Sequence, residues 1–328
     1  MVRKFPAIIF IVCACVASSC GRGSRLPEDL SRAEGLLDSR PDSSMIILDS
    51  ASYSESSGRY LYASYCLLRT FAEYNAYKPG IDEGMMNVGV DYFLKYGNRD
   101  RKAQAYYLRA VVREDNKSGN QADWANDLLL ATKEVKGSGN HMLAAMINLR
   151  YAVVLNDRKW YDASLPYLEK GLEEAEKAGS LAFQVTALIN LSHRSLFLGD
   201  ADRDYSEAIE YANRAAEISK GDDNDYARAL YNLGACYSRN GQFDKALECA
   251  STAVRAQERL FREGKRKARV RYAVLADAFR KMNIPDSALF YAAKEMEASD
   301  LIAKLSGSQL SYIVYRDLLD DKENAVKC

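Results

Sequence analysis

Four leucines, Leu149, Leu191, Leu233 and Leu275, stand 42 residues apart along this chain. A fixed period of that length means one supersecondary unit has been copied, and such copies bury their apolar faces against each other. The clearest copy is read directly. Leu230, Leu233, Gly234 and Tyr237 share one face of a helix at a spacing of about 3.6. Asn240 and Gly241 supply a turn, and Ala246, Ala250 and Ala253 stripe a second helix. A hairpin of this kind cannot bury its apolar face alone, so it implies stacked neighbours.

The register recurs on both sides. Tyr272, Leu275, Ala276 and Phe279 precede Pro285, Ala288 and Ala292. Leu188, Leu191 and Ser195 precede Tyr205, Ala208 and Ala212, and Met146, Leu149 and Val153 precede Trp160, Ala163 and Tyr167. Weaker copies run through Ala105, Leu108 and Val112 with Ala125 and Leu129, and through Leu61, Cys66 and Leu68 with Met85, Val88 and Tyr92. No apolar/polar alternation persists over six residues elsewhere. The count of apolar runs predicts about fifteen helices, in seven hairpins plus one. Pro41-Asp42-Ser43 and Pro285-Asp286-Ser287 signal the starts of second helices.

The first helix of the clearest copy, with Leu230, Leu233-Gly234 and Tyr237, and the following Ala246 resemble the tetratricopeptide repeat (TPR). The resemblance is specific over 143–303 and diffuse over 57–135. It implies an all-α fold, an α-solenoid of stacked helical hairpins wound as a right-handed superhelix, whose concave surface holds another chain. Three features depart from the family pattern. Ala250 stands where an aromatic is expected. The small residue after the repeat leucine is present as Ser192, Gly234 and Ala276, but Arg109 and Arg150 fill that place in two copies, and these must snorkel or force a wider pair. Pro166 falls inside an expected second helix, where it kinks the helix or marks its first turn.

The N-terminus reads as an export leader. Arg3 and Lys4 precede the apolar run Ala7–Ala17, which is too short to span a bilayer comfortably, and Ser18 and Ser19 close it. Cys20 after Val16-Ala17-Ser18-Ser19 resembles the lipobox of bacterial lipoproteins, with Cys15 the poorer alternative site. That resemblance implies cleavage before Cys20, its lipidation, and a tether that does not cross the membrane. The expected organisation is a leader at 1–19, a tether at 20–26, divergent hairpins at 27–135, and TPR-like repeats at 136–328 ending in an unpaired helix at Gln309–Leu319. Without Arg3 and Lys4 the net charge is near −2, which argues against a strong global pull on nucleic acid. Cys66, Cys236, Cys249 and Cys328 show no CxxC spacing and are read as buried inert thiols.

Little in the chain points to catalysis, and no enzyme, cofactor or metal site is expected. The two histidines, His141 and His193, lie in separate repeats with no Cys or acid pair around either in the sequence. His193 is read as a surface or groove residue. Asp200, Asp202 and Asp204 alternate as in a calcium loop, but Tyr205 and Tyr211 occupy the places of its Gly and Glu, so a solvated turn with a helix cap is expected. The basic stretch Arg255, Arg259, Arg262, Lys265, Arg266, Lys267, Arg269 and Arg271 is a solvated helix end or a docking patch for an acidic partner.

Asn148, Asn190 and Asn232 each precede a repeat leucine. In the TPR family that place faces the concave side, so the three form an expected peptide-binding ladder, with donors and an acceptor on each amide. Tyr151 and Tyr231 stand near it as apolar anchors. Arg228, one turn before Asn232, looks like part of the carboxylate clamp of some TPR co-chaperones, whose further Lys and Asn are not evident here. The chain also resembles exported TPR proteins of Gram-negative bacteria. The expected role is a TPR scaffold, lipid-anchored to a bacterial membrane (the outer membrane facing the periplasm), binding a protein or peptide partner and no nucleic acid or small-molecule substrate. The alternative is the detached sensing half of a TPR-type regulator, lacking its transmembrane and DNA-binding parts.

Overall fold

The computed structural model describes residues 26–202, 204–264, 270–298 and 301–328. The leader at 1–19, Cys20 and the tether up to residue 25 lie outside the described residues, as do Lys265, Arg266, Lys267 and Arg269 of the basic stretch. Among the described residues every regular element is helical: sixteen α-helices, with a single 3-10 turn and one π-helical segment. The chain divides into two compact units at Lys136/Gly137.

The first unit contains three hairpins. They are α1 (Glu28–Leu36) with α2 (Pro41–Ser50), α3 (Arg59–Asn75) with α4 (Glu83–Tyr96), and α5 (Arg99–Asp115) with α6 (Gln121–Val135). Asp82, Asn98 and Asn120 start α4, α5 and α6 by accepting backbone N–H groups of the first turn. At Pro41 and Pro285 the device is different. Each proline is itself the first helical residue, where its missing N–H costs nothing, and no side-chain cap is made by the residue before it.

The second unit holds four hairpins and a closing element. They are α7 (His141–Asp157) with α8 (Tyr161–Lys177), α9 (Leu181–Asp202) with α10 (Ser206–Ile218), α11 (Asp223–Arg239) with α12 (Phe243–Arg262), and α13 (Ala273–Lys281) with α14 (Pro285–Met296). Then follow α15 (Leu301–Ile313), the π segment Val314–Leu318 and the short α16 (Lys322–Lys327). The expected terminal helix at Gln309–Leu319 therefore begins eight residues earlier and is not unpaired. It packs on α14, because Gly307 lets the two backbones meet: a β-carbon there would lie 2.6 Å from the Ala292 carbonyl oxygen.

Small residues set how closely the hairpin helices approach. Ala208, Ala212, Ala246, Ala250, Ala253, Ala288 and Ala292 are all buried on second helices. Ala250 fills the expected aromatic place because Gly234 faces it closely: a β-carbon on Gly234 would be 3.3 Å from both the Ala246 oxygen and the Ala250 nitrogen. In the α7–α8 and α3–α4 pairs the small residue has moved to the second helix. Gly171 lies against Leu149, and Gly89 against the backbone of Ala63 and Leu67.

This explains the two arginines. Arg150 stays half-buried without a wider pair because Gly171 makes the close approach. Arg109 neither snorkels to solvent nor splays its hairpin. Its Nε and a terminal nitrogen donate to both oxygens of Asp127 on α6, at 2.7 and 2.6 Å. Two further expectations change. Helix α9 continues through Asp202, so Asp200 and Asp202 are helical and form no loop; Asp204 accepts from the Ser206 N–H and hydroxyl at the entry to α10. Pro166 sits in the second turn of α8, which runs unbroken from Tyr161 to Lys177.

Candidate functional site

The first helices of the second unit, α9, α11 and α13, put a distinctive set of side chains on one face. The start of α13 is the part that most needs explaining, because its N-terminal residue Tyr272 makes no side-chain cap. Two side chains from second helices do that work. Buried Gln257 of α12 accepts the Arg271 N–H at 2.9 Å, and buried Glu295 of α14 accepts the Tyr272 N–H at 2.6 Å. An orphaned amide in such a position would cost about 1–3 kcal/mol. These contacts fix Arg271, whose guanidinium lies 4.1 Å above the ring of Tyr231 on α11.

One turn along the same face is a cavity of about 270 Å³. Its walls are Ala235, Ser238 and Arg239 of α11, Ala273, Val274 and Asp277 of α13, and Ser306, Gln309, Leu310 and Ile313 of α15. The single acid here is matched within the site: Ser238 donates to one Asp277 oxygen at 2.7 Å and Arg280 to the other at 2.6 Å. On α9, His193 is exposed and packs edge-on against Phe197, with ring centroids 4.6 Å apart. Phe197 in turn stacks on Tyr161. Desolvation by the walls of the face lowers the His193 pKa, and the positive charges of Arg271 and Arg239 lower it further. The face combines aromatic edges, an imidazole, guanidinium groups and a recess with both polar and apolar walls, a composition suited to holding a peptide segment.

The predicted asparagine ladder is not presented as expected. Asn148 and Asn232 are each only 7% exposed. Asn148 and Asn190 donate their amides to the carbonyls one turn back, Ala144 and Thr186, both at 2.8 Å. Asn232 donates to the Ser192 hydroxyl at 2.7 Å, and Ser192 itself bonds the Ala208 carbonyl at 2.8 Å and meets the Cys236 sulfur at 3.3 Å. Asn232 thus ties α11 to α9 from inside, whereas buried Asn148 and half-buried Asn190 bond back to their own helices. Tyr151 is half-buried and packs edge-on with Tyr167 at 4.7 Å. Tyr231 is buried under Arg271. Arg228 pairs with Asp225 at 2.7 Å and reaches the Thr186 hydroxyl at 3.2 Å, so α11 ties its own first turn to α9.

The basic stretch also divides. Arg255, Arg259 and Arg262 are on the second helix α12, Arg259 paired with Asp223, whereas Arg271 belongs to the first-helix face. His141 does have an acid beside it, across the hairpin: its Nδ1 is 2.7 Å from a Glu174 oxygen. Cys66 and Cys236 are buried and Cys249 is half-buried, but Cys328 is exposed. Among the described residues no group of three or more His, Cys, Asp or Glu could hold a metal, and no helix is long and apolar enough to cross a membrane.

Sequence reasoning missed Arg239, Asp277, Gln257 and Glu295. The last two are polar residues in apolar positions of second helices, a signal that could have marked them as buried caps.

The tetratricopeptide repeat family model matches residues 193–259 and 225–299. No curated protein matches the chain. Solved structures that share its fold include two Rap proteins. The apo form of RapI aligns with a TM-score of 0.64 at 14% identity, covering 91% of this chain and 83% of RapI. A Rap protein complexed with Competence and Sporulation Factor aligns with a TM-score of 0.66 at 14% identity, covering 92% of this chain and 84% of the other. The chain is an α-solenoid of TPR-like hairpins, and residues 193–299 are similar to the tetratricopeptide repeat family.

Proposed function

We propose that the first-helix face of the second unit binds an extended segment of a protein or peptide partner, and that the protein does so while tethered to a bacterial membrane through lipidated Cys20, in the periplasm. The observation that carries the binding role is that one first-helix face carries His193 packed on Phe197 and Arg271 over Tyr231, with a mixed polar and apolar cavity lined by Arg239 one turn beyond Tyr231. The fold-mate complexed with Competence and Sporulation Factor supports the reading, since a solenoid of this kind admits a bound partner. The tether rests on the leader Arg3 to Ser19 and the lipobox-like run before Cys20.

A photo-crosslinking residue at position 193 tests the face, with the same residue at Arg255 on the second-helix side as control. The expected result is one discrete adduct from position 193 and none from 255. Equal labelling from both, or none from either, would overturn the binding face. Cys20→Ala tests the tether separately: the protein should leave the membrane fraction, and the acyl mass should vanish from its N-terminal peptide.

A further inference from the structure

The geometry points to the chemistry of the partner: a segment in which an acidic residue lies within a few positions of an aliphatic one, the carboxylate taken by Arg271 and the aliphatic side chain by the cavity beyond it. This rests on the reading of the first-helix face as the binding surface.

Three observations carry it. First, Arg271 is exposed, and among the described residues no carboxylate lies within ion-pair distance of it. Its guanidinium carbon lies 4.1 Å over the centre of the Tyr231 ring, and its backbone N–H is fixed by buried Gln257. A guanidinium stacked on an aromatic keeps its edge N–H groups for a planar acceptor and loses little freedom on binding one. Second, the acids of this face are already matched within it, Asp225 by Arg228 and Asp277 by Arg280 and Ser238. Beyond those pairs Arg271 adds an exposed positive charge to the face. Glu295 is buried and spent on the Tyr272 N–H, so an incoming carboxylate meets the exposed Arg271 guanidinium and the paired acids Asp225 and Asp277. Third, the cavity begins one helical turn from the Tyr231–Arg271 pair, and Ala235, Ala273, Val274, Leu310 and Ile313 give it apolar walls. Its volume of about 270 Å³ accepts one aliphatic side chain with room to turn.

Fluorescence anisotropy with three labelled hexapeptides separates the two contacts: Ser-Glu-Leu-Glu-Leu-Ser, Ser-Gln-Leu-Gln-Leu-Ser and Ser-Glu-Ser-Glu-Ser-Ser. The Glu/Leu peptide should bind roughly tenfold or more tightly than either of the others, the scale of one charge-assisted contact or one filled pocket. Its affinity should fall as salt rises. Arg271→Gln should cost it about tenfold and leave the Gln/Leu peptide unchanged. Arg255→Gln, which removes the same charge from α12, should do nothing.

Equal binding of the Glu/Leu and Gln/Leu peptides, or equal loss from Arg271→Gln and Arg255→Gln, would overturn the acidic assignment. So would no binding of the Glu/Leu peptide at all. If the crosslink from position 193 persists in those cases, the face still binds a partner of other chemistry. If the crosslink also fails, the binding face falls with it.

Discussion

No side chain fits at Gly171: a β-carbon there would lie 2.5 Å from Cδ2 and 2.6 Å from Cγ of Leu149. Leu149 is the repeat leucine, and Arg150 follows it where other copies carry Ser192, Gly234 or Ala276. The close approach of the two helices is kept, but the residue that permits it has crossed from the first helix to the second.

Gly171→Ala should therefore lower stability, although alanine is worth up to about 1 kcal/mol more than glycine in a helix interior. Overpacking a buried leucine costs about 1–3 kcal/mol. The urea midpoint should fall, while Gly221→Ala, with nothing within 4 Å of its new β-carbon, should leave it in place. Leu149→Ala combined with Gly171→Ala should cost less than the two changes summed, since the shortened leucine makes room. Simple additivity would show that the two residues do not share one contact. Gly234→Leu should cost a similar 1–3 kcal/mol. Gly264 is no control for it, because its φ of +67° strains any side chain placed there.

Most of the fold was legible because a solenoid writes itself into the sequence as a period. The spacing of Leu149, Leu191, Leu233 and Leu275 and the alanine stripes gave the hairpins of the second unit, and Pro41 and Pro285 gave two helix starts. The solvated turn expected around Asp200, Asp202 and Asp204 is helical as far as Asp202, since one glycine does not by itself end a helix. The site was less legible. Equivalence placed Asn148, Asn190 and Asn232 at one position, but not the side on which each amide is spent. That depends on partners from other helices, such as Ser192, which lies 40 residues from Asn232. Likewise Arg271 looked like one of a basic run, and only the distant Gln257, Glu295 and Tyr231 assign it to a different face from Arg259.

The Arg109–Asp127 pair should be asymmetric to mutation. Asp127 is 7% exposed at its side chain and Arg109 22%. Arg109→Ala strands a buried carboxylate and should cost about 3 kcal/mol or more. Asp127→Ala leaves a guanidinium that can turn toward water and should cost less. Denaturation of both variants checks the order; a reversed order would mean that the arginine is the more deeply buried partner.

Thiol reactivity should follow burial. Cys66, Cys236 and Cys249 all have pKa values pushed up to about 11 by desolvation, and Cys66 and Cys236 are fully covered. The thiolate is the reactive form, so at pH 8 very little of these three is available to an alkylating reagent. Cys328 is exposed. Brief iodoacetamide treatment of the native protein, read by peptide mass, should label Cys328 well ahead of the other three. Labelling of Cys236 at a comparable rate would mean that the Ser192–Asn232–Cys236 contact opens readily.

His193 should make the fold weaker in mild acid. Its pKa in the folded protein is lowered, chiefly by desolvation and then by the charges of Arg271 and Arg239. The unfolded chain keeps a histidine pKa of about 6.5. Between those two values the unfolded state binds more protons than the folded state, so stability rises with pH there. Acidification from about pH 7.5 through the unfolded pKa should progressively lower the urea midpoint, and the loss should level off once pH passes below the folded pKa. His193→Gln removes the titration but keeps a polar side chain on α9. From pH 7.5 to pH 5.5 the wild-type midpoint should therefore fall by more than the variant's. Parallel midpoints at both pH values would show that the imidazole titrates alike in both states and that the Arg239–Arg271 field does not reach it.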